Sequence, residues 1–272
     1  MPAARITHFG IPLLLCSAVL ATSGHAQSSP QGMSPKVLTM LQRQVGMDDH
    51  LPNDKNPSGL HIQFSKIGES NEEAGHFAIY RAYVPGAPKD QTYVRAIWKV
   101  GADPEFMPGD VYLNSQGLMM TKAPRPDQEY KAIVDADDEV EFSFQAARGE
   151  PVRVLFTTPD GKLVIPGTIV PFPIQGRDRQ CKLEARLALP EAAAVLIYAD
   201  GLSPNSDIPY QTFSEGQSHT GTLHTNAHGH AVRIDLPYVT GKDSGNLKVA
   251  ITTKDCSASV EIPWGKGSYK PF

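Results

Sequence analysis

The sequence predicts an all-β protein built as two β-sandwich domains with one short helix ahead of them. Three observations carry this prediction. From Leu60 onward apolar residues recur with period two, the signature of half-buried strands. The strand-like runs are short and evenly divided by turn chemistry such as Asn114-Ser-Gln-Gly117 and Pro159-Asp-Gly161. Prolines 166, 171 and 173 interrupt the pattern once, which marks a domain boundary because proline cannot donate to a central ladder.

Ahead of the strands, Arg5 is followed by an apolar run from Phe9 to Ala21 and by small residues ending Gly24-His25-Ala26. A run this short falls below the ~20 residues a membrane helix needs. The order of charge, apolar run and small residues reads as a signal peptide, 1–26, cleaved after Ala26. The protein is thus expected to be exported, periplasmic or extracellular, with no transmembrane segment in the mature chain. Ser34-Pro35 then supplies an N-cap and a first-turn proline. Val37, Leu38, Leu41 and Val45 follow at helical spacing, so a helix is expected over 35–45. The Asp48–Gly59 stretch, rich in Pro, Asn and Asp, reads as loop.

The N-terminal domain is taken as 34–165. Its strands are expected at 60–66, 76–84, 91–100, 110–114, 117–121, 130–134, 139–146, 151–157 and 162–165. The clearest is 139–146, where Val140, Phe142, Phe144 and Ala146 alternate with Glu141, Ser143 and Gln145. Residues 166–179 are expected as a proline-rich linker. Seven further strands follow at 180–189, 194–199, 207–213, 219–225, 230–236, 246–252 and 256–262, and residues 265–272 form an aromatic tail.

Of the three cysteines, Cys16 leaves with the leader. Cys181 leads an alternation with Leu183, Ala185 and Leu187 on one face, and Cys256 leads one with Ala258, Val260 and Ile262. Both therefore sit on buried strand faces, and an oxidising compartment favours pairing them.

Seven short strands in about 90 residues match an immunoglobulin-like sandwich in number and size. The stretch Val195-Leu-Ile-Tyr-Ala-Asp-Gly201-Leu-Ser-Pro204-Asn-Ser resembles the strand-and-turn opening of Ig-like modules in exported bacterial envelope proteins. The resemblance covers residues 180–264 and implies a binding or spacing module. An antibody-type domain carries its tryptophan between the cysteines, whereas Trp264 follows Cys256.

The net charge of −4 becomes one unit more negative without Arg5, and no basic stripe accompanies it, so nucleic acid is not an expected partner. His219, His224, His228 and His230 crowd into twelve residues. Imidazole suits zinc, copper or nickel, which makes His224, His228 and His230 candidate metal ligands. If 219–225 and 230–236 form a hairpin, however, His224 and His230 face opposite sides of it. Asp135, Asp137, Asp138, Glu139 and Glu141 supply oxygen ligands without the EF-hand spacing, and a solvated turn and strand face explain them equally well. Gly241-Lys-Asp-Ser-Gly245 has the look of a protease nucleophile loop, but Lys242 interrupts that motif and a hairpin turn suits it better.

No catalytic set is recognisable, and no cofactor is called for. The leading reading is an exported, non-enzymatic binding or structural module with a protein or glycan partner in the envelope. A metal-binding protein and a secreted hydrolase with an unrecognised site are the alternatives. The contact candidates are Trp98, Trp264, Tyr269 and Phe272, since aromatic residues dominate interface hot spots. Tyr80, Tyr93 and Arg95 contribute to the same surface unless they fill the core. Intact mass of the exported protein should correspond to a chain beginning at Gln27; recovery of the full-length chain would exclude cleavage.

Overall fold

The computed structural model describes residues 56–89, 91–121 and 139–270, all of which belong to one compact unit, Met33–Phe272. The expected leader, the helix at 35–45, the strand at 130–134 and Phe272 lie outside the described residues.

The first sandwich contains β1 (Gln63–Glu72), β2 (Gly75–Tyr83), β3 (Thr92–Trp98), β4 (Glu105–Leu113), β5 (Met119–Thr121), β6 (Glu141–Phe144), β7 (Val152–Thr157) and β8 (Val164–Ile169). Its antiparallel sheets run β1-β2-β6 and β5-β4-β3-β7-β8. The alternation read from the sequence sets the inner faces: Val140, Phe142, Phe144 and Ala146 are buried, while Glu141 is exposed. Within the β1-β2-β6 sheet Phe64 meets Tyr80, Phe142 and Phe144 edge-on at 6.2–6.4 Å, the arrangement aromatic quadrupoles favour. Tyr80 and Tyr93 belong to this core, and the Tyr93 hydroxyl donates to the Pro88 carbonyl at 2.7 Å.

The second sandwich comprises β9 (Ile174–Asp178), β10 (Cys181–Leu187), β11 (Val195–Asp200), β12 (Asp207–Ser214), β13 (Gln217–His224), β14 (Ala231–Asp235), β15 (Ser244–Thr252) and β16 (Ser257–Gly265). Its sheets run β14-β11-β10-β9 and β13-β12-β15-β16. Cys181, Leu183, Ala185 and Leu187 face inward against Ala258, Val260 and Ile262. Cys181 and Cys256 are joined by a disulfide, Cα–Cα 6.2 Å, that ties one sheet to the other across 75 residues of chain.

Two features depart from the sequence expectations. The segment 166–179 carries the end of β8 and all of β9, so the second sandwich has eight strands. Pro166 sits in an edge strand and Pro173 just ahead of another, positions where a missing donor is tolerated. Proline thus marks sheet edges here. β13 and β14 do not form a hairpin either, because they belong to different sheets. Two loops at the corner interlock: buried Thr225 donates to the Ser203 carbonyl at 2.6 Å, and Leu202 N–H donates to the Gly229 carbonyl at 3.1 Å. Gly229 has φ +73°, and a Cβ there would run into the Leu202 carbonyl.

The sandwiches meet through main chain. Gly149 N–H donates to the Phe172 carbonyl at 2.8 Å, and Leu187 N–H donates to the Gly149 carbonyl at 2.7 Å. Val100 and Ala147, from loops of the first sandwich, complete the second core. Within that sandwich Gly176 of β9 lies against the Ser259 backbone of β16, with no room for a Cβ.

The disulfide should carry a measurable share of stability, since closing a loop of this length removes unfolded-state entropy. Cys181→Ala/Cys256→Ala is expected to lower unfolding free energy by about 2–5 kcal/mol in denaturant titration. Two free thiols per chain in protein folded under oxidising conditions would refute the pairing.

Candidate binding cleft

A cleft of about 350 Å³ opens between the two sandwiches. One wall is the start of β1 with His61, Gln63 and Phe64; the other is the end of β8 and the turn after it, with Thr168, Ile169 and Pro173. The second sandwich contributes Gln175, Glu184 and Arg186. Strand pairing explains this convergence. Gln175 of β9 is registered with Glu184 of β10, which in turn is registered with Tyr198 of β11, so all three lie side by side on the outer face of one sheet.

Glu184 organises that face. It is 5% exposed, and its carboxylate accepts from Lys182 Nζ at 2.6 Å, Gln175 Nε2 at 2.8 Å and Arg186 Nε at 2.7 Å. Burial pushes its carboxyl upward, but the Arg186 and Lys182 charges and hydrogen bonds outweigh that and hold it below the usual range. The Arg186 guanidinium also lies 4.1 Å from the Tyr198 ring centroid, a cation–π geometry. Further along the face His230 Nδ1 pairs with Asp200 Oδ1 at 2.6 Å, and the His230 ring lies 6.0 Å from that of Tyr198. Thr168 Oγ1, on the opposite wall, is buried with no hydrogen-bond partner among the described residues.

The histidines do not converge. His224 of β13 pairs with Asp207 at 3.0 Å on one sheet, while His230 pairs with Asp200 on the other. His228 is exposed in the turn, where its N–H donates to Asn226 Oδ1. Among the described residues no three His, Cys, Asp or Glu side chains gather in metal-binding reach, which removes the geometric basis of the metal reading of His224, His228 and His230. Of the acidic group, Glu139 and Glu141 pair with Arg81 at 2.8 and 3.8 Å; Asp135, Asp137 and Asp138 lie outside the described residues. Lys242 N–H donates to the Val239 carbonyl at 3.0 Å, closing the glycine-rich turn before β15.

The aromatic contact candidates divide. Trp264 is 3% exposed; its Nε1–H donates to Ser214 Oγ at 3.1 Å, and that hydroxyl donates to the Pro237 carbonyl at 2.8 Å. It is a core residue of the second sandwich, placed there by the same inward phase that buries Val260 and Ile262 on β16. Tyr269 is partly buried against that core, and its hydroxyl donates to Glu150. Burial and then Glu150 push the Tyr269 phenol upward. Trp98 is half-buried beside Arg153 on the face of β3 away from the core. The large apolar side chains that are exposed include Phe106 and Tyr238, each at 63%, and Phe213 at 49%. Among the described residues no helix is long and apolar enough to cross a membrane.

No protein-family model and no curated protein matches this chain.

Sequence reasoning missed the cleft because Lys182, Glu184 and Arg186 alternate with apolar residues and so read as a solvated strand face. It also missed a buried ion pair on β14. There Val232 and Ile234 pack outward against Leu196 and Tyr198, leaving Arg233 and Asp235 on the core side, paired at 2.6 Å. The Arg233 guanidinium lies 4.1 Å from the Tyr210 ring. Burial raises the Asp235 carboxyl, with Arg233 and His219 opposing the rise. A carboxyl raised on folding gives stability that is present below its unfolded value of about 3.9 and lost as pH rises through the folded value. Asp235→Asn should therefore flatten the pH dependence of the melting temperature as pH rises above ~4. An unchanged profile would show that Asp235 does not titrate in that window.

Proposed function

We propose that this protein is an exported, non-enzymatic module of the bacterial envelope or secretome that works by binding, with the cleft between its sandwiches as the contact site. The observation that carries the reading is the cleft itself. Its volume lies within the range of ligand sites, and its position between two packed bodies is where such sites concentrate. The side chains around Glu184 are held in place by hydrogen bonds and an aromatic stack, which suits recognition by a preorganised surface. The Cys181–Cys256 disulfide supports an oxidising compartment, and hence the export read from residues 1–26. The connectivity of the second sandwich supports the Ig-like resemblance in part: with β9 set aside, β10, β11 and β14 share one sheet and β12, β15 and β16 the other, as strands A, B, E and C, F, G do in an Ig-type sandwich, while β13 pairs with β12 instead of joining the β11–β14 sheet.

Contact through Trp264 and Tyr269 has no support in their burial. Trp264→Ala should act on folding, destabilising by roughly 3–5 kcal/mol as buried aromatic truncations do, whatever partner is present. A photo-crosslinking residue placed at Gln63 should capture an envelope component from native extract, whereas one placed at Phe213, on the outer face of the other sheet, should capture none. Equal capture at both positions, or at neither, would overturn the cleft as the contact site.

A further inference from the structure

Resting on that reading, we infer that the cleft takes an uncharged carbohydrate chain. The side chains that converge on it argue against the other ligand chemistries. The two cations beside Glu184 are committed: Lys182 and Arg186 both donate to the same buried carboxylate. An anionic ligand would have to draw them off Glu184 and leave that charge buried and uncompensated, a strongly unfavourable exchange. A purely apolar ligand would strip water from Gln63 and Gln175 without returning hydrogen bonds.

The neutral groups define what does fit. Gln63 and Gln175 reach the cleft from different sandwiches, and each amide both donates and accepts. The buried Thr168 hydroxyl, with no partner among the described residues, also does both. Sugar hydroxyls carry the same double capacity, in vicinal arrays that can engage both functions of one amide. Beside these groups stand Phe64, Ile169 and Pro173, apolar surface for the C–H faces of a pyranose ring. A ligand with polar edges and apolar faces matches this alternation. The cleft is open to solvent at its mouth, where Gln175 is exposed, so a chain can extend beyond it.

An extended peptide is the competing occupant, and it would be expected to add a strand to a free sheet edge. The edges of β1, β8 and β9 that border the cleft are engaged at this level. The Pro166 carbonyl of β8 accepts from Ile62 N–H at 2.9 Å, and β9 lies against β16 at Gly176 and accepts Ser257 N–H on Asp178 at 2.7 Å.

The test uses the mature chain and four probes: chitotetraose, cellotetraose, inorganic phosphate and a Thr-Val-Thr-Val-Thr peptide. Binding is followed by titration calorimetry and by the side-chain amide resonances of Gln63 and Gln175. At least one tetrasaccharide should bind saturably and shift both amides, with an affinity little changed between ~0.05 and ~0.5 M salt, because no ion pair forms. Gln175→Leu, at an exposed position, should weaken that binding tenfold or more, and Gln63→Leu should do the same. Phe213→Ser should not, and melting temperatures measured on all three variants separate lost binding from lost folding. Failure of both sugars to bind overturns the assignment, as does sugar binding that survives both leucine variants. Peptide or phosphate binding that shifts the same amides overturns the carbohydrate assignment while leaving the cleft a binding site. Absence of crosslinking at Gln63 would instead overturn the broader reading.

Discussion

A single buried carboxyl group holds three parts of this chain in register. Glu150 is fully inaccessible; one of its oxygens accepts Ala147 N–H at 3.0 Å and the other accepts the Tyr269 hydroxyl. Ala147 belongs to the β6–β7 turn of the first sandwich, and Tyr269 to the tail that leaves the second. The adjacent Gly149 bonds to Phe172 on one side and Leu187 on the other. Burying an acid is unfavourable unless its oxygens are satisfied, so this junction is stable only with all its partners in place. The separation of the cleft walls depends on it, because Thr168–Pro173 and Glu184–Arg186 hang from the two chains that Gly149 clamps.

Most of the fold was legible because period-two patterning reports directly on which face of a strand is buried. It placed Cys181 and Cys256 in phase with their cores and marked 139–146 as a strand. The failures have definite causes. β9 was hidden because its outward residues Gln175 and Arg177 and its close-contact Gly176 leave Ile174 as its only large apolar side chain. The false β13–β14 hairpin arose because sequence proximity is a good guide to pairing except where a corner sends the chain to the other sheet. Trp264 was read as a contact candidate because the strand pattern was cut at Ile262, three residues short of the end of β16.

The site was far less legible than the fold, for a reason rooted in the same periodicity. Alternating charged residues on a strand look alike whether they face solvent or a second body. Glu184 is buried only because the neighbouring face is covered by Arg186, Lys182 and Gln175, and by the first sandwich beyond them. The ion pair of β14 inverts the usual expectation, since the apolar side of that strand covers Tyr198 outside while Arg233 and Asp235 face in. Such inversions occur at a sandwich margin, where the inner face gives out and a charged head can reach the rim while its stem lies on an aromatic ring.

The contact between Gly176 and Ser259 bears on how such a protein keeps to itself. An open sandwich offers strand edges on which another chain can template, and a long, flat edge invites association. Here β9 and β16, which would otherwise be the exposed margins of two sheets, shut against one another because a residue without a side chain lets their backbones touch. At the opposite margin β14 ends in the charged pair Arg233–Asp235, and β13 carries histidines and hydroxyls rather than an apolar stripe. The sandwich therefore guards one seam by closure and the other by polarity.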